Sequence, residues 1–136
     1  MYIAWLQALV AMLGSLYFSE ILRLPPCNLC WYQRILMYPL VVILAVGIIR
    51  KDKAVPYYVL PFSALGIVIS FYQYMLQAGV ISESQAPCSV NIPCTTQYLE
   101  FFGFVTIPFL SLLAFLVITL CMIVFTRYNY SHEPRK

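Results

Sequence analysis

The sequence predicts an all-α integral membrane protein, folded as a four-transmembrane-helix bundle. Of its 136 residues, 62% are hydrophobic and only 10% are charged, whereas a soluble domain carries about a quarter charged residues. Four long apolar segments account for most of the chain. Because so few polar side chains could not cover the surface of a globule in water, lipid must be the solvent around the protein.

The apolar segments each hold about twenty residues, which at about 1.5 Å per residue cross a hydrocarbon core of roughly 30 Å. Together they form a single membrane domain over residues 1–136. The transmembrane spans are predicted at residues 3–22, 29–49, 55–75 and 101–125. The first and third connections, residues 23–28 and 76–100, then lie on the same side of the membrane.

The basic residues predict which side that is. Three of the eight Lys and Arg residues lie in the short connection 50–53, three follow Phe125, and none lies in the long connection 76–100. Basic residues collect on the cytoplasmic side. Both termini are therefore predicted to be cytoplasmic, and the first and third connections extracytoplasmic. A basic run with interleaved aromatic residues does not occur, which argues against a nucleic-acid partner.

Four of the five cysteines lie in the two outward connections, where disulfides form and persist. Cys27 and Cys30 have C-x2-C spacing, and Cys88 and Cys94 have C-x5-C spacing. Two structural disulfides, or a zinc site of four cysteines, are alternatives. Closing so short a loop stabilises a fold little, which favours redox use. Cys121, deep in the fourth span, is predicted to be a small buried hydrophobe.

The residues around the C-x2-C motif predict a reactive pair at the start of a helix. Pro25 and Pro26 suit the beginning of a helix, which places Cys27 in the first turn and Cys30 one turn deeper. The positive end of the helix dipole favours a thiolate there. Arg34 shares the face of both cysteines. An arginine inside an apolar span usually has a functional partner, here an electron-accepting oxygen or a thiolate, with snorkelling to the interface as the alternative.

Residues 27–34, read as C-x-x-C-x-x-x-R at the start of the second span, resemble the signature of the DsbB family of disulfide bond formation membrane proteins. The resemblance covers the whole chain, with four spans, two outward cysteine pairs and the stretch 102–108 opening the fourth span. In detail the chain is similar to the short-loop BdbC-type thiol-disulfide oxidoreductases of Gram-positive bacteria. Many relatives have an acid before the motif arginine, where this chain has Gln33.

The resemblance implies a bacterial plasma-membrane enzyme that reoxidises a thioredoxin-like extracytoplasmic oxidase, DsbA- or BdbD-like, and passes the electrons to the quinone pool. The implied disulfides are Cys27–Cys30 and Cys88–Cys94. The partner's cysteine would attack Cys88, Cys94 would resolve the mixed disulfide, and the electrons would then reach the first pair. Cys30 would contact the quinone ring and Arg34 one of its oxygens. The Gram-positive resemblance favours menaquinone over ubiquinone.

Three rival functions remain beside this hypothesis. The related class resembling vitamin K epoxide reductase carries its C-x-x-C late in the bundle, whereas here the motif opens the second span. A non-catalytic membrane scaffold with two structural disulfides predicts that Arg34 is dispensable. A metal carrier predicts stoichiometric zinc or copper in the purified protein.

Overall fold

A computed structural model describes residues 1–23, 25–82, 84 and 106–132. Within these residues the chain forms four helices, each long and apolar enough to cross a membrane. They are α1 (Tyr2–Leu16), continued by a π-helical turn (Tyr17–Ile21), α2 (Asn28–Arg50), α3 (Val55–Gln77) and α4 (Ile107–His132). The predicted all-α class with four membrane-spanning helices is confirmed. The side of the membrane on which the termini lie stays a prediction.

Local interactions of residues 51–54 end α2 and begin α3. Lys51 adopts a left-handed conformation (φ 52°), and its N–H bonds back to the carbonyls of Gly47 and Ile48. The Asp52 carboxylate accepts a hydrogen bond of 2.8 Å from the Ala54 N–H, and α3 then begins with a proline in its first turn. Residues 51–54 therefore suffice to reverse the chain.

The four helices pack as a closed ring. α3 lies between α2 and α4, and α1 closes the ring by contacting both α2 and α4. Large apolar side chains from three of the helices fill the centre with no exposure to the outside: Leu40, Leu44, Val59, Phe115, Ile118 and Met122. Many of the outward-facing large side chains are also apolar, as a lipid-facing surface requires.

Small and hydroxyl-bearing residues bring α3 and α4 close together. The Thr119 hydroxyl donates to Ser63 at 3.0 Å, and the Ser111 hydroxyl donates to Ser70 at 3.1 Å. Between these pairs, Gly66 lies flat against the ring of Phe115. Such contacts are typical of helix pairs in lipid, where small residues allow close approach and hydroxyls bond across the interface.

Gly66→Ala is expected to destabilise the bundle by about 1–3 kcal/mol, because a Cβ there would lie 2.6 Å from Cζ of Phe115. Thermal unfolding in detergent, followed by circular dichroism, measures the effect. Gly14→Ala is the matched control, since a Cβ at Gly14 meets nothing within 4 Å. Equal stability of the two alanine variants would contradict close packing at Gly66.

Candidate redox and ligand site

Cys27 and Cys30 lie side by side at the start of α2. Cys27 has extended backbone (φ −71°, ψ 168°) and caps the helix, so it lies one position before the first turn in which it was predicted. Its sulfur accepts the Cys30 backbone N–H at 3.4 Å. The two Sγ atoms are 2.8 Å apart, both as thiols. Only a small side-chain movement separates this arrangement from a disulfide.

The Cys27 thiol is 6% exposed. Its hydrogen bond with Cys30, together with burial, raises the pKa of the Cys27 thiol above its ordinary value. The protonated form of Cys27 is therefore favoured in the reduced pair.

Two buried glutamines support this pair, Gln33 from α2 and Gln73 from α3. Gln73 Nε2 lies 3.2 Å from the sulfur of Cys27 and 3.3 Å from that of Cys30. Gln33 Nε2 donates to Gln73 Oε1 at 2.7 Å. Gln73 is 1% exposed and Gln33 is 7% exposed. Reasoning from the sequence missed Gln73, although an amide inside an apolar span is a signal that could have identified it.

Arg34 turns towards α1. Its Nη2 donates to the backbone carbonyl of Ser15 at 3.0 Å, just before the helix changes to the π-helical turn. Its Cζ lies 5.6 Å from the centroid of the Trp31 ring, within the range of a cation–π contact. The half-buried guanidinium is thus held between two helices.

A cavity of about 320 Å³ lies between the helices beside these residues. Cys30 and Arg34 line it near the start of α2, and Gln73 lines it from α3. Most of the remaining wall is apolar and includes Val10, Ala11, Met37, Leu110, Ala114 and Phe115. A largely apolar pocket of this size with a few polar groups is typical of a small-molecule site.

Thr106 contributes a further polar group to this cavity. The residue is 6% exposed, and its hydroxyl has no hydrogen-bond partner among the described residues. Such a group is costly to bury, and a ligand oxygen in the cavity could satisfy it. Reasoning from the sequence missed Thr106, because a threonine before an apolar span is common.

The structure leaves the second predicted cysteine pair undescribed. Cys88 and Cys94 lie outside the described residues, so the second pair and its disulfide stay predictions. The zinc alternative depends on the same two residues and is likewise untested. Cys121 is partly buried in α4, where it packs against the central core.

A thiol pair at a helix start, in a four-helix bundle apolar enough to span a membrane, defines a class of membrane thiol-disulfide redox protein. The comparisons with known proteins agree. The sequence model "Disulfide bond formation protein DsbB" matches residues 1–125, and the chain belongs to the DsbB family.

Curated relatives resemble the chain over most of its length. It is 52% identical over 124 residues to "Probable disulfide formation protein C" of Halalkalibacterium halodurans, which covers 91% of this chain and 90% of that protein. It is 51% identical over 122 residues to "Disulfide bond formation protein C" of Bacillus subtilis, covering 90% and 88%. No solved structure gives a significant match.

Oxidation of the purified protein is expected to join Cys27 to Cys30, because their sulfurs are already in contact. After mild oxidation and unfolding in SDS, both thiols should resist alkylation, and peptide mapping should recover them as one linked species. Cys121 is the internal control and should remain fully alkylated. Cys27 and Cys30 that stay alkylatable, or that are linked to other cysteines, would contradict the pairing.

Proposed function

We propose that this chain is a membrane thiol:quinone oxidoreductase. It reoxidises a thioredoxin-like extracytoplasmic oxidase, DsbA- or BdbD-like, and passes the electrons to a quinone, so that disulfides continue to form in exported proteins. The observation that carries the proposal is that Cys30 and Arg34 line the same apolar cavity. A reactive sulfur and a fixed cation thus face a space large enough for a substituted ring.

The residues around the cavity fit a quinone. A quinone has a flat apolar ring with two carbonyl oxygens. It is soluble in lipid and can accept two electrons. Arg34 is suited to hydrogen-bond one oxygen, because a guanidinium stabilises the charge that develops there on reduction. The hydroxyl of Thr106, which has no partner among the described residues, is suited to donate a hydrogen bond to the second quinone oxygen. The apolar wall accommodates the ring.

The proposed reaction balances at the first pair. The Cys27–Cys30 dithiol gives up two electrons and two protons, its sulfurs join, and the quinone becomes a quinol. The disulfide is then reduced by the Cys88–Cys94 dithiol, which the partner's dithiol regenerates in turn. Each transfer between two cysteine pairs is a thiolate attack on a disulfide sulfur. The raised pKa of Cys27 keeps one of the departing protons on that sulfur until the disulfide closes.

The family supports the thiol half of this reaction, since the relatives are described as disulfide formation proteins. We propose menaquinone rather than ubiquinone on the resemblance to the short-loop Gram-positive branch. The charge pattern of residues 50–53 and of the C-terminal tail supports an extracytoplasmic position for both cysteine pairs. The bacterial plasma membrane is proposed as the location on the family resemblance.

Cys30→Ser is expected to abolish quinone reduction, because no disulfide can then close beside the cavity. The assay mixes purified protein, a reduced thioredoxin-like oxidase and a soluble menaquinone analogue, and follows the quinone absorbance. Cys121→Ser is the matched control and should retain full activity. Cys88→Ser should lose activity with the protein donor but keep it with a small dithiol that reaches the first pair directly. Full activity of Cys30→Ser, or none in the native chain with any thiol donor, would overturn the proposal.

Arg34→Ala and Thr106→Val are expected to raise the apparent KM for quinone. Hydrogen bonds from a charged group contribute about 1.5–3 kcal/mol and neutral ones about 0.5–1.5 kcal/mol, which predicts rises of about 10- to 100-fold and about 2- to 10-fold. Arg50→Ala, at the exposed far end of α2, is the control and should leave KM unchanged. An unchanged KM in both cavity variants would move the quinone away from this cavity.

A further inference from the structure

The two glutamines form a directed chain of hydrogen bonds that ends on the sulfurs. Gln33 Nε2 donates to Gln73 Oε1, and Gln73 Nε2 then faces Cys27 and Cys30. The amide nitrogen of Gln73 carries two hydrogens, one for each sulfur. Nearly the whole of this chain is buried. The Gln73 amide therefore has both its oxygen and its nitrogen engaged, by Gln33 on one side and by the thiol pair on the other.

Packing alone does not explain this arrangement. A single bond between Gln33 and Gln73 would be enough to join α2 to α3. The remaining N–H groups of Gln73 are directed at the reactive pair, although many other positions along α3 face lipid or the core. If both amides were reversed, the Gln73 carbonyl would face sulfurs that lose their protons when the disulfide forms, and lone pairs would then oppose lone pairs.

We propose that Gln73 is a catalytic residue of the exchange at Cys27 and Cys30, and that Gln33 is the positioning residue that turns the Gln73 amide towards them. This inference rests on the proposed redox function of the pair. When an incoming thiolate attacks one sulfur, a new S–S bond forms and the Cys27–Cys30 bond breaks. The electron pair of the broken bond goes to the other sulfur, which leaves as a thiolate, and the N–H groups of Gln73 stabilise the charge that gathers there.

A neutral amide suits this position. A second cation near the pair would be expensive in the hydrocarbon region, whereas an amide donates without carrying charge and without losing a proton. Arg34 reaches towards α1 and the cavity, while Gln73 approaches the sulfurs from α3. The two donors thus serve different atoms: Arg34 is placed for the electron acceptor, and Gln73 for the sulfurs.

The test measures the dithiol–disulfide equilibrium of the first pair in full-length protein, with Cys88 and Cys94 replaced by serine so that one pair titrates. The protein is equilibrated with dithiothreitol buffers, quenched with acid and alkylated with a maleimide. Gln73→Met keeps the side-chain size but removes both donors. It is expected to lower the ratio of dithiol to disulfide about tenfold, a shift of about 30 mV to more negative potential.

Gln33→Met is expected to shift the same equilibrium in the same direction by a smaller factor. The double variant should match Gln73→Met alone, because Gln33 acts only through Gln73. Ser63→Ala, a buried polar position on the same helix but remote from the sulfurs, is the control and should leave the potential unchanged. Gln73→Asn, whose amide is one methylene too short to reach, provides a second variant if Gln73→Met does not fold, and it should show the same shift.

An unchanged potential in folded Gln73→Met or Gln73→Asn would overturn the inference. The inference would also be overturned if the shift in potential of the double variant equalled the sum of the shifts of Gln33→Met and Gln73→Met. The measurement contains neither quinone nor partner protein, so its outcome is separable from that of the proposed function. If the native pair shows a dithiol–disulfide equilibrium that depends on Gln73 but the protein reduces no quinone, the quinone proposal is wrong and the inference about Gln73 holds.

Discussion

The absence of water from the hydrocarbon core is the constraint on which the arrangement of this protein depends. Inside it, every buried polar group needs a partner supplied by the protein itself. Where the buried groups are paired across helices, the chain meets the demand in two ways, while the Thr106 hydroxyl at the cavity has no partner among the described residues. Between α3 and α4, hydroxyls bond to hydroxyls and hold two helices together. Between α2 and α3, the amides of Gln33 and Gln73 bond to each other and to the sulfurs of the thiol pair.

At the start of α2, the need to pair buried polar groups applies to the same residues that form the thiol pair. Two prolines precede Cys27, which stays extended, and the helix begins one residue later. The Cys27 sulfur then accepts the backbone N–H of Cys30, satisfying one of the donors that every helix start leaves unpaired. The side chain that caps the helix is thus also half of the thiol pair. Local helix geometry and thiol chemistry are satisfied by the same atoms.

Much of this could be predicted from the sequence, and the limits are physical. Four apolar segments and few charges were enough for the fold class, because lipid imposes length and composition on every span. The pairing of Cys27 with Cys30 was implied by the family resemblance, whereas the position of Arg34 on their face follows from helix periodicity. The position of Gln73 beside the sulfurs could not be predicted in this way. Its contact with Cys27 joins residues 46 positions apart and depends on how α2 and α3 rotate against each other. Thr106 was missed for a similar reason, as its burial depends on packing at the start of α4.

The short turn between α2 and α3 has a consequence for how the protein is made. Cys27, Cys30, Gln33 and Gln73 all belong to the hairpin formed by these two helices. Only residues 51–54 join them, so the entropy lost in bringing the helices together is small. The hairpin can enter the bilayer as a unit and complete the support of the sulfurs before α4 has been synthesised. The cavity also needs α1 and α4, so it is complete only once α4 is in place. The support of the sulfurs and the chamber beside them thus depend on different parts of the chain.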